Sequence, residues 1–158
     1  MLRELQVIKD KPAIASYKAG ETTISTGMAV VKNETDKTFE FASAETAADL
    51  YFVDKERIPT GVNAARGDIS DYDADFTTLK ENDFGKLINY LPGERFATDA
   101  YVETGIATGV RLSANTAGKI VKAATTVESK YVCGGFYTDN GHKLVIVEVS
   151  DTVGKNAS

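Results

Sequence analysis

The chain of 158 residues has no tryptophan, one cysteine (Cys133) and one histidine (His142). One cysteine excludes an internal disulfide, so we expect a reducing compartment or a fold that needs no covalent staples. One cysteine and one histidine do not supply a usual zinc site. A Ser-His-Asp or Cys-His system would have to use His142, which follows an Asn-Gly turn signal and is expected at an exposed hairpin start. We therefore expect no catalytic residues, no cofactor and no enzymatic activity.

Long charged blocks and long apolar runs are also missing. The net charge is -5, with 18 basic and 23 acidic residues, and an acidic chain lacks the electrostatic footprint of a nucleic-acid partner. The longest strongly apolar run, residues 144–147, is far shorter than the roughly 20 residues of a membrane helix. The first residues include Glu4 and lack the apolar stretch of a signal peptide. We expect a soluble protein with no membrane partner.

The densest acidic cluster resembles the opening of a calcium loop. Carboxylates at alternate positions can converge on one hard cation, but Phe76 and Asn82 stand where such a loop needs glycine and a bidentate glutamate. We therefore interpret the cluster as a solvated acidic loop and expect no metal site. Its members are Asp68, Asp71, Asp73 and Asp75.

Short segments with strand-like patterns fill most of the chain. Residues 23–42 predict a hairpin, because Phe39 and Phe41 alternate with polar residues. Residues 43–49 could form a helical turn, and residues 50–53 read as a buried strand. Further strands are predicted at residues 100–102, 110–112, 119–121, 131–137 and 143–149. The fold class is therefore all-β, as a small barrel or sandwich.

Three segments lie outside this pattern. Residues 1–20 predict an extended N-terminal arm that gains little by folding on its own chain. Residues 21–149 form a single β domain interrupted by a long irregular insertion at about 55–98, with short strands and a helical turn near residues 84–91. Residues 150–158 predict a loose polar tail. Eleven tyrosines and phenylalanines from Tyr51 to Tyr137 should divide between the core and a contact surface.

A repeat at an offset of 82 residues is the most informative feature. Residues 24–30 (ISTGMAV) match residues 106–112 (IATGVRL). The match continues at Asn33 with Asn115, Lys37 with Lys119 and Phe39 with Val121. It predicts one structural unit used twice: a Thr-Gly turn, a strand, an asparagine-containing turn and a return strand. Gly27 and Gly109 should lie where the backbone must turn without a Cβ clash.

Several of these segments also resemble a known family. Residues 20–22 (Gly-Glu-Thr) run into residues 24–30, and residues 118–123 and 131–135 (Tyr-Val-Cys-Gly-Gly) lead to a valine-rich last strand. This arrangement resembles the small β-barrel decoration, or cement, proteins of tailed-bacteriophage capsids. The resemblance covers residues 17–54 and 99–149.

The resemblance implies a structural protein on the outer surface of a phage head, made in the cytoplasm of the bacterial host. Such proteins bind the major capsid protein and clamp neighbouring subunits, often as homo-oligomers such as trimers. A free N-terminal arm is common among them, and residues 1–20 would take that role. The family has no active site to carry over to this chain.

Three other functions remain open at this stage. One is another phage structural component, such as a head-fibre base or a tail or baseplate β-domain. The second is a carbohydrate-binding β-sandwich. The third is a small hydrolase with an unrecognised pair of carboxylates, which would need two acids across a cleft.

Overall fold

The computed structural model describes residues 1–8, 13–21, 23–54 and 77–157. Strand accounts for 48% of the described residues, which confirms the all-β class. The acidic cluster from Asp68 to Asp75 lies outside the described residues, so the expectations for it stay predictions.

Six strands form the first sheet, in the spatial order β1-β7-β11-β10-β8-β9. They are β1 (Leu2–Gln6), β7 (Arg95–Thr98), β8 (Arg111–Ala114), β9 (Ile120–Lys122), β10 (Ser129–Asp139) and β11 (His142–Gly154). All pairings in this sheet are antiparallel. The longest pair, β10 and β11, is joined by the predicted Asn-Gly turn. Asn140 has a φ of 47° and Gly141 a φ of 83°, as a tight hairpin turn with two left-handed residues requires.

Five strands form the second sheet, in the order β2-β4-β3-β5-β6. They are β2 (Lys18–Ala19), β3 (Ala29–Asn33), β4 (Thr38–Glu40), β5 (Tyr51–Asp54) and β6 (Lys86–Ile88). The predicted hairpin of residues 23–42 is confirmed by the antiparallel pairing of β3 and β4. Its alternation is confirmed as well, since Phe39 is buried and Phe41 packs against the same core cluster.

The main core lies between the two sheets and contains an aromatic cluster. Tyr90 stacks on Phe96 with ring centroids 4.0 Å apart, and Phe52 contacts Phe96 at 4.4 Å and Tyr131 at 5.9 Å. All four side chains are fully buried, and each such burial contributes about 1.5–3 kcal/mol. A second core cluster, which includes Tyr17 and Leu79, covers the other face of the second sheet.

The predicted repeat is a real structural duplication at its leading turn. Gly27 and Gly109 have φ values of 91° and 86°. In each copy the amide after the glycine donates to the carbonyl three residues earlier, at 3.1 and 3.0 Å. The side-chain oxygens of Asn33 and Asn115 each accept a bond from the amide two residues later. The two turns are therefore built from the same hydrogen bonds.

The duplication extends through the strands, with small changes of offset. Ala29 of β3 pairs with Phe52 of β5, and the equivalent Arg111 of β8 pairs with Val132 of β10. Equivalent residues of β5 and β10 are therefore 80 residues apart in the sequence. Lys32 of β3 pairs with Phe39 of β4, and the equivalent Ala114 of β8 pairs with Ile120 of β9. Equivalent residues of the return strands β4 and β9 are therefore 81 residues apart. The sequence match of Phe39 with Val121 was therefore wrong by one residue: five residues separate Ala114 from its partner Ile120, whereas six separate Lys32 from its partner Phe39.

The flanking strands also correspond. The parallel pairing of Ala19 with Phe39 matches the parallel pairing of Tyr101 with Ile120. On the other side β6 lies beside β5 as β11 lies beside β10. We call β2 to β6 the first unit, and residues 100–102 with β8 to β11 the second unit.

The two units differ in one connection. Asn140 and Gly141 alone join β10 to β11, whereas residues 55–85 separate β5 from β6. The insertion predicted at residues 55–98 therefore ends earlier than expected, because β6 and β7 are integral strands of the two sheets. The helical turn expected near residues 84–91 is wrong, since β6 occupies its centre.

The N-terminal arm is the largest error of the sequence expectations. β1 pairs with β7 in its own chain, with Leu2 opposite Thr98 and Arg3 opposite Ala97, and the side chain of Met1 is buried. β2 likewise pairs with β4. The charged residues of β1 are compatible with an edge strand, which pairs on one side only.

Two smaller expectations are also wrong. Residues 43–49 form no helical turn, because Thr46 exchanges backbone bonds of 3.0 and 2.8 Å with Ala114. The tail is not loose, because β11 continues to Gly154 and the side-chain amide of Asn156 bonds the backbone of Arg111 and Ala123. The Asn156 side chain thus provides hydrogen-bond partners for the backbone at Arg111 and Ala123, at one end of the β8–β9 pair.

Candidate interaction surfaces

The structure separates the two residues that nucleophilic chemistry would need. Cys133 lies opposite Val147, whereas His142 lies opposite Asp139 near the far end of the same hairpin. Six residues of strand span roughly 20 Å, so the two side chains do not meet. Cys133 is buried, and burial raises the pKa of its thiol.

Titratable side chains line depressions in the surface of the described residues. Two open depressions have volumes of about 230 and 250 Å³. The first is lined by Thr26, Asp99 and Lys119, and the second by Glu94, Arg95 and Glu148. Both are smaller than the roughly 300–1,000 Å³ of typical small-molecule sites. Among the described residues no group of three or more His, Cys, Asp or Glu side chains could hold a metal ion.

An aromatic patch is exposed at one end of the main core. We define it as Tyr101, Val102, Phe136 and Lys143. The rings of Tyr101 and Phe136 are 6.0 Å apart, and the Lys143 ammonium lies 4.1 Å from the centre of the Phe136 ring. Lys143 also binds the carboxylate of Glu103, so the cation is held over the ring. Val102 and Phe136 are each 37% exposed.

A charged cluster lies on the second sheet around Glu34. Its carboxylate accepts bonds from Lys32 at 2.9 Å and Lys37 at 3.0 Å, and also from the Tyr17 hydroxyl. The bonds from Tyr17, Lys32 and Lys37 lower the pKa of Glu34 to about 2. The same carboxylate raises the pKa of Lys32. Lys32 also lies over the ring of Tyr51, 4.9 Å from its centre.

Among the aromatic residues that the structure describes, Phe84 is the most exposed. It is 64% exposed and lies 5.4 Å from the Lys18 ammonium. Its turn is closed by the carboxylate of Asp83, which accepts a bond of 2.9 Å from the Lys80 amide. Phe84 therefore stands on an ordered turn beside β2.

A third exposed apolar group surrounds the end of β1. Leu5, Ile8 and Leu91 are 43%, 53% and 42% exposed. The buried carboxylate of Glu94 accepts bonds of 2.7 Å from the Ile8 amide and 2.6 Å from the Leu91 amide. Leu5 occupies the irregularity between Glu4 and Gln6 in the β1–β7 pairing, and such bulges redirect side chains.

The predicted aromatic residues divide between core and surface. Phe52, Tyr90, Phe96 and Tyr131 are buried, whereas Phe84, Phe136 and Tyr137 are exposed; Tyr51 and Tyr101 are half-buried. Tyr72 and Phe76 lie outside the described residues. Glu94 was not predictable as a buried hydrogen-bond acceptor, because one glutamate between a Pro-Gly turn and a strand has no pattern that distinguishes it from a surface acid.

Comparisons with protein-family models, with curated proteins and with solved structures return no match. The described part of the chain has no helix with the length and hydrophobicity needed to cross a bilayer. The family resemblance therefore rests on the quoted residues alone.

Proposed function

We propose that this chain is a structural virion protein that binds the outer surface of a bacteriophage capsid and stabilises contacts between major capsid subunits. In this proposal it is a binding protein and not an enzyme, and its partner is the major capsid protein. The resemblance at residues 20–30, 118–123 and 131–135 supports the proposal.

The observation that carries the proposal is the aromatic patch. Interfaces are enriched in tyrosine and phenylalanine, and the central contacts dominate the binding energy. The rings of Tyr101 and Phe136 present apolar area, while the ion pair of Lys143 with Glu103 supplies a polar rim. Because Phe136 stands on β10 and the backbone of Tyr101 is bridged to Ile120, little conformational entropy is lost when a partner covers them.

A surface of this kind can stabilise a shell without any chemistry. A protein that binds only the assembled capsid stabilises it by mass action, and the effect grows with its concentration relative to the dissociation constant. The duplicated sheets provide a rigid support for contacts on either side of a seam between subunits.

The first test is the composition of virions. We expect genes for a major capsid protein, portal and protease beside this gene, and the polypeptide in purified virions at a fixed ratio to the main shell protein. Absence from virions would exclude the proposal. Binding of the isolated protein on a glycan array would instead favour a carbohydrate-binding module.

The second test compares two phenylalanines. On capsids that lack the protein, we expect Phe136→Ala to weaken binding about tenfold, as for loss of a central contact worth more than about 1 kcal/mol. Phe84→Ala makes the same change at an exposed residue outside the patch and should leave the affinity within about twofold. Equal effects of the two variants would show that the patch is not the contact surface.

A further inference from the structure

The duplication extends to one more pair of segments at the outer edge of each unit. Ile14 pairs with Leu87 of β6 in the way that Phe96 of β7 pairs with Val147 of β11. Phe96 lies 82 residues after Ile14 in the sequence. Val147 lies 60 residues after Leu87, and the same offset of 60 relates Ile88 to Glu148. Residues 13–16 (Ala-Ile-Ala-Ser) therefore correspond to β7 (Arg-Phe-Ala-Thr).

The two corresponding segments differ sharply in exposure. Ala97 and Thr98 are fully buried, whereas Ala15 and Ser16 are exposed. The difference has a visible cause, because β1 covers the outer edge of β7. Among the described residues, no strand pairs with the outer edge of residues 13–16.

The backbone of this edge is directed outward at alternate positions. The amide and carbonyl of Ile14 both bond to Leu87, at 2.9 and 2.8 Å. Ile14 forms a single bridge, and because neighbouring residues of an extended segment direct their backbone groups to opposite sides, we expect those of Ala13 and Ala15 to face away from the sheet. Small uncharged side chains at both positions leave this row accessible, although natural edges are usually protected by charge, proline or a covering element.

The outer edge of β1 is a candidate partner for the edge at residues 13–16. β1 is the last strand of its sheet and already pairs, through its inner edge, with a segment of the Arg-Phe-Ala-Thr type. Its outer edge follows Leu2–Gln6, with Leu5 exposed. Within the described ranges, each chain thus has one outer β1 edge and one edge at residues 13–16 that no strand covers.

We infer that residues 13–16 of one copy bind the outer edge of β1 of a second copy, which joins the first sheet of one protomer to the second sheet of the next. The contact is head-to-tail, so its repetition gives a closed ring or an open chain. It adds main-chain hydrogen bonds at an edge, the mode known as β-strand addition. The contact does not depend on the virion role, because it uses neither the aromatic patch nor a capsid.

Light scattering during size exclusion tests the contact. We expect the wild-type chain to elute at a multiple of 17.0 kDa at about 100 μM, a concentration that populates contacts of micromolar affinity. Ala15→Lys and Leu5→Lys each place a charge on one of the two edges and should raise the dissociation constant at least tenfold. Ala107→Lys makes the same change at an exposed position of the second unit and should have no effect.

Mixing the two edge variants separates head-to-tail from symmetric contacts. Ala15→Lys retains the β1 edge and Leu5→Lys retains the edge at residues 13–16, so an equimolar mixture should form a pair of twice 17.0 kDa. A monomeric wild type, an Ala15→Lys variant of unchanged size, or a mixture that stays monomeric would each overturn the inference. Circular dichroism melting checks that the variants fold, and Ala15→Glu provides a second change at the same residue.

Discussion

Gly27 and Gly109 occupy the same turn of the two units but have different surroundings. Both have positive φ, where a side chain costs roughly 1–2 kcal/mol. A Cβ atom at Gly27 would lie 2.4 Å from the Met1 carbonyl oxygen and 2.5 Å from the Thr98 hydroxyl, whereas one at Gly109 would meet nothing within 4 Å. Alanine at Gly109 would therefore cause backbone strain alone, whereas alanine at Gly27 would cause backbone strain and steric overlap.

We expect Gly109→Ala to lower the free energy of unfolding by roughly 1–2 kcal/mol. Gly27→Ala should lower it by at least about 2 kcal/mol more, because the backbone at Met1 must move. Urea denaturation of both variants measures the difference. Equal losses would show that the contact between Met1 and Gly27 is not maintained in solution.

Glu34 makes stability depend on pH in a defined direction. Its pKa in the folded protein is about 2, below its unfolded value of about 4.3, so ionised Glu34 favours the folded state. This contribution is fully present above about pH 4.3 and is lost as the pH falls toward 2. We expect the stability difference between wild type and Glu34→Gln to be largest near neutral pH and to shrink between pH 4 and 2.

The carboxyl chemical shift of Glu34 in an NMR titration provides the direct measurement, with an expected midpoint near 2. Glu128→Gln serves as the control, because it removes an exposed carboxylate whose Lys155 partner is 3.6 Å away. A Glu34 midpoint near 4 would contradict the described hydrogen bonds to Tyr17 and the two lysines.

At the scale of elements, Glu94 fixes the end of β1 to the loop that precedes β7. We expect Glu94→Ala to lower the free energy of unfolding by about 2–4 kcal/mol, because it leaves the Ile8 and Leu91 amides without their acceptor. Hydrogen exchange should show faster exchange at both amides. Glu128→Ala, at an exposed ion pair, should change stability by less than about 0.5 kcal/mol. Unchanged exchange at Ile8 would contradict the anchoring role.

Elements with strong alternation or turn chemistry were predictable from the sequence. Phe39 and Phe41 identified a hairpin, and Asn140 with Gly141 identified the tightest turn. β1 was missed because Arg3 and Glu4 made it resemble a solvated arm, although edge strands carry charges. β6 was missed because three residues are too few to establish a period.

The surfaces were less predictable than the elements. Tyrosine and phenylalanine were correctly expected to divide between core and surface, but nothing in the local sequence distinguishes buried Tyr131 from exposed Tyr137. The difference arises from the sheet face that each occupies, which depends on the register with β11. The correspondence of residues 13–16 with β7 was likewise too short to detect before the pairing partners were known.

At the scale of the whole molecule, a single pattern of five paired segments occurs twice, once in each sheet. The sheets share the Phe52, Phe96 and Tyr131 cluster, so neither buries its inner face alone. This shared core predicts cooperative unfolding of both units. Denaturation monitored by tyrosine fluorescence and by circular dichroism should give coincident transitions, and two separate transitions would show that the units fold independently.

The unequal connections of the two units have a practical consequence for engineering. Two residues join β10 to β11, whereas residues 55–85 join the equivalent strands β5 and β6, which still pair. A foreign peptide inserted between Asn140 and Gly141 should therefore be carried at a hairpin tip while the sheets remain intact. If the chain coats a particle as proposed, that tip is a natural position for multivalent display of an antigen.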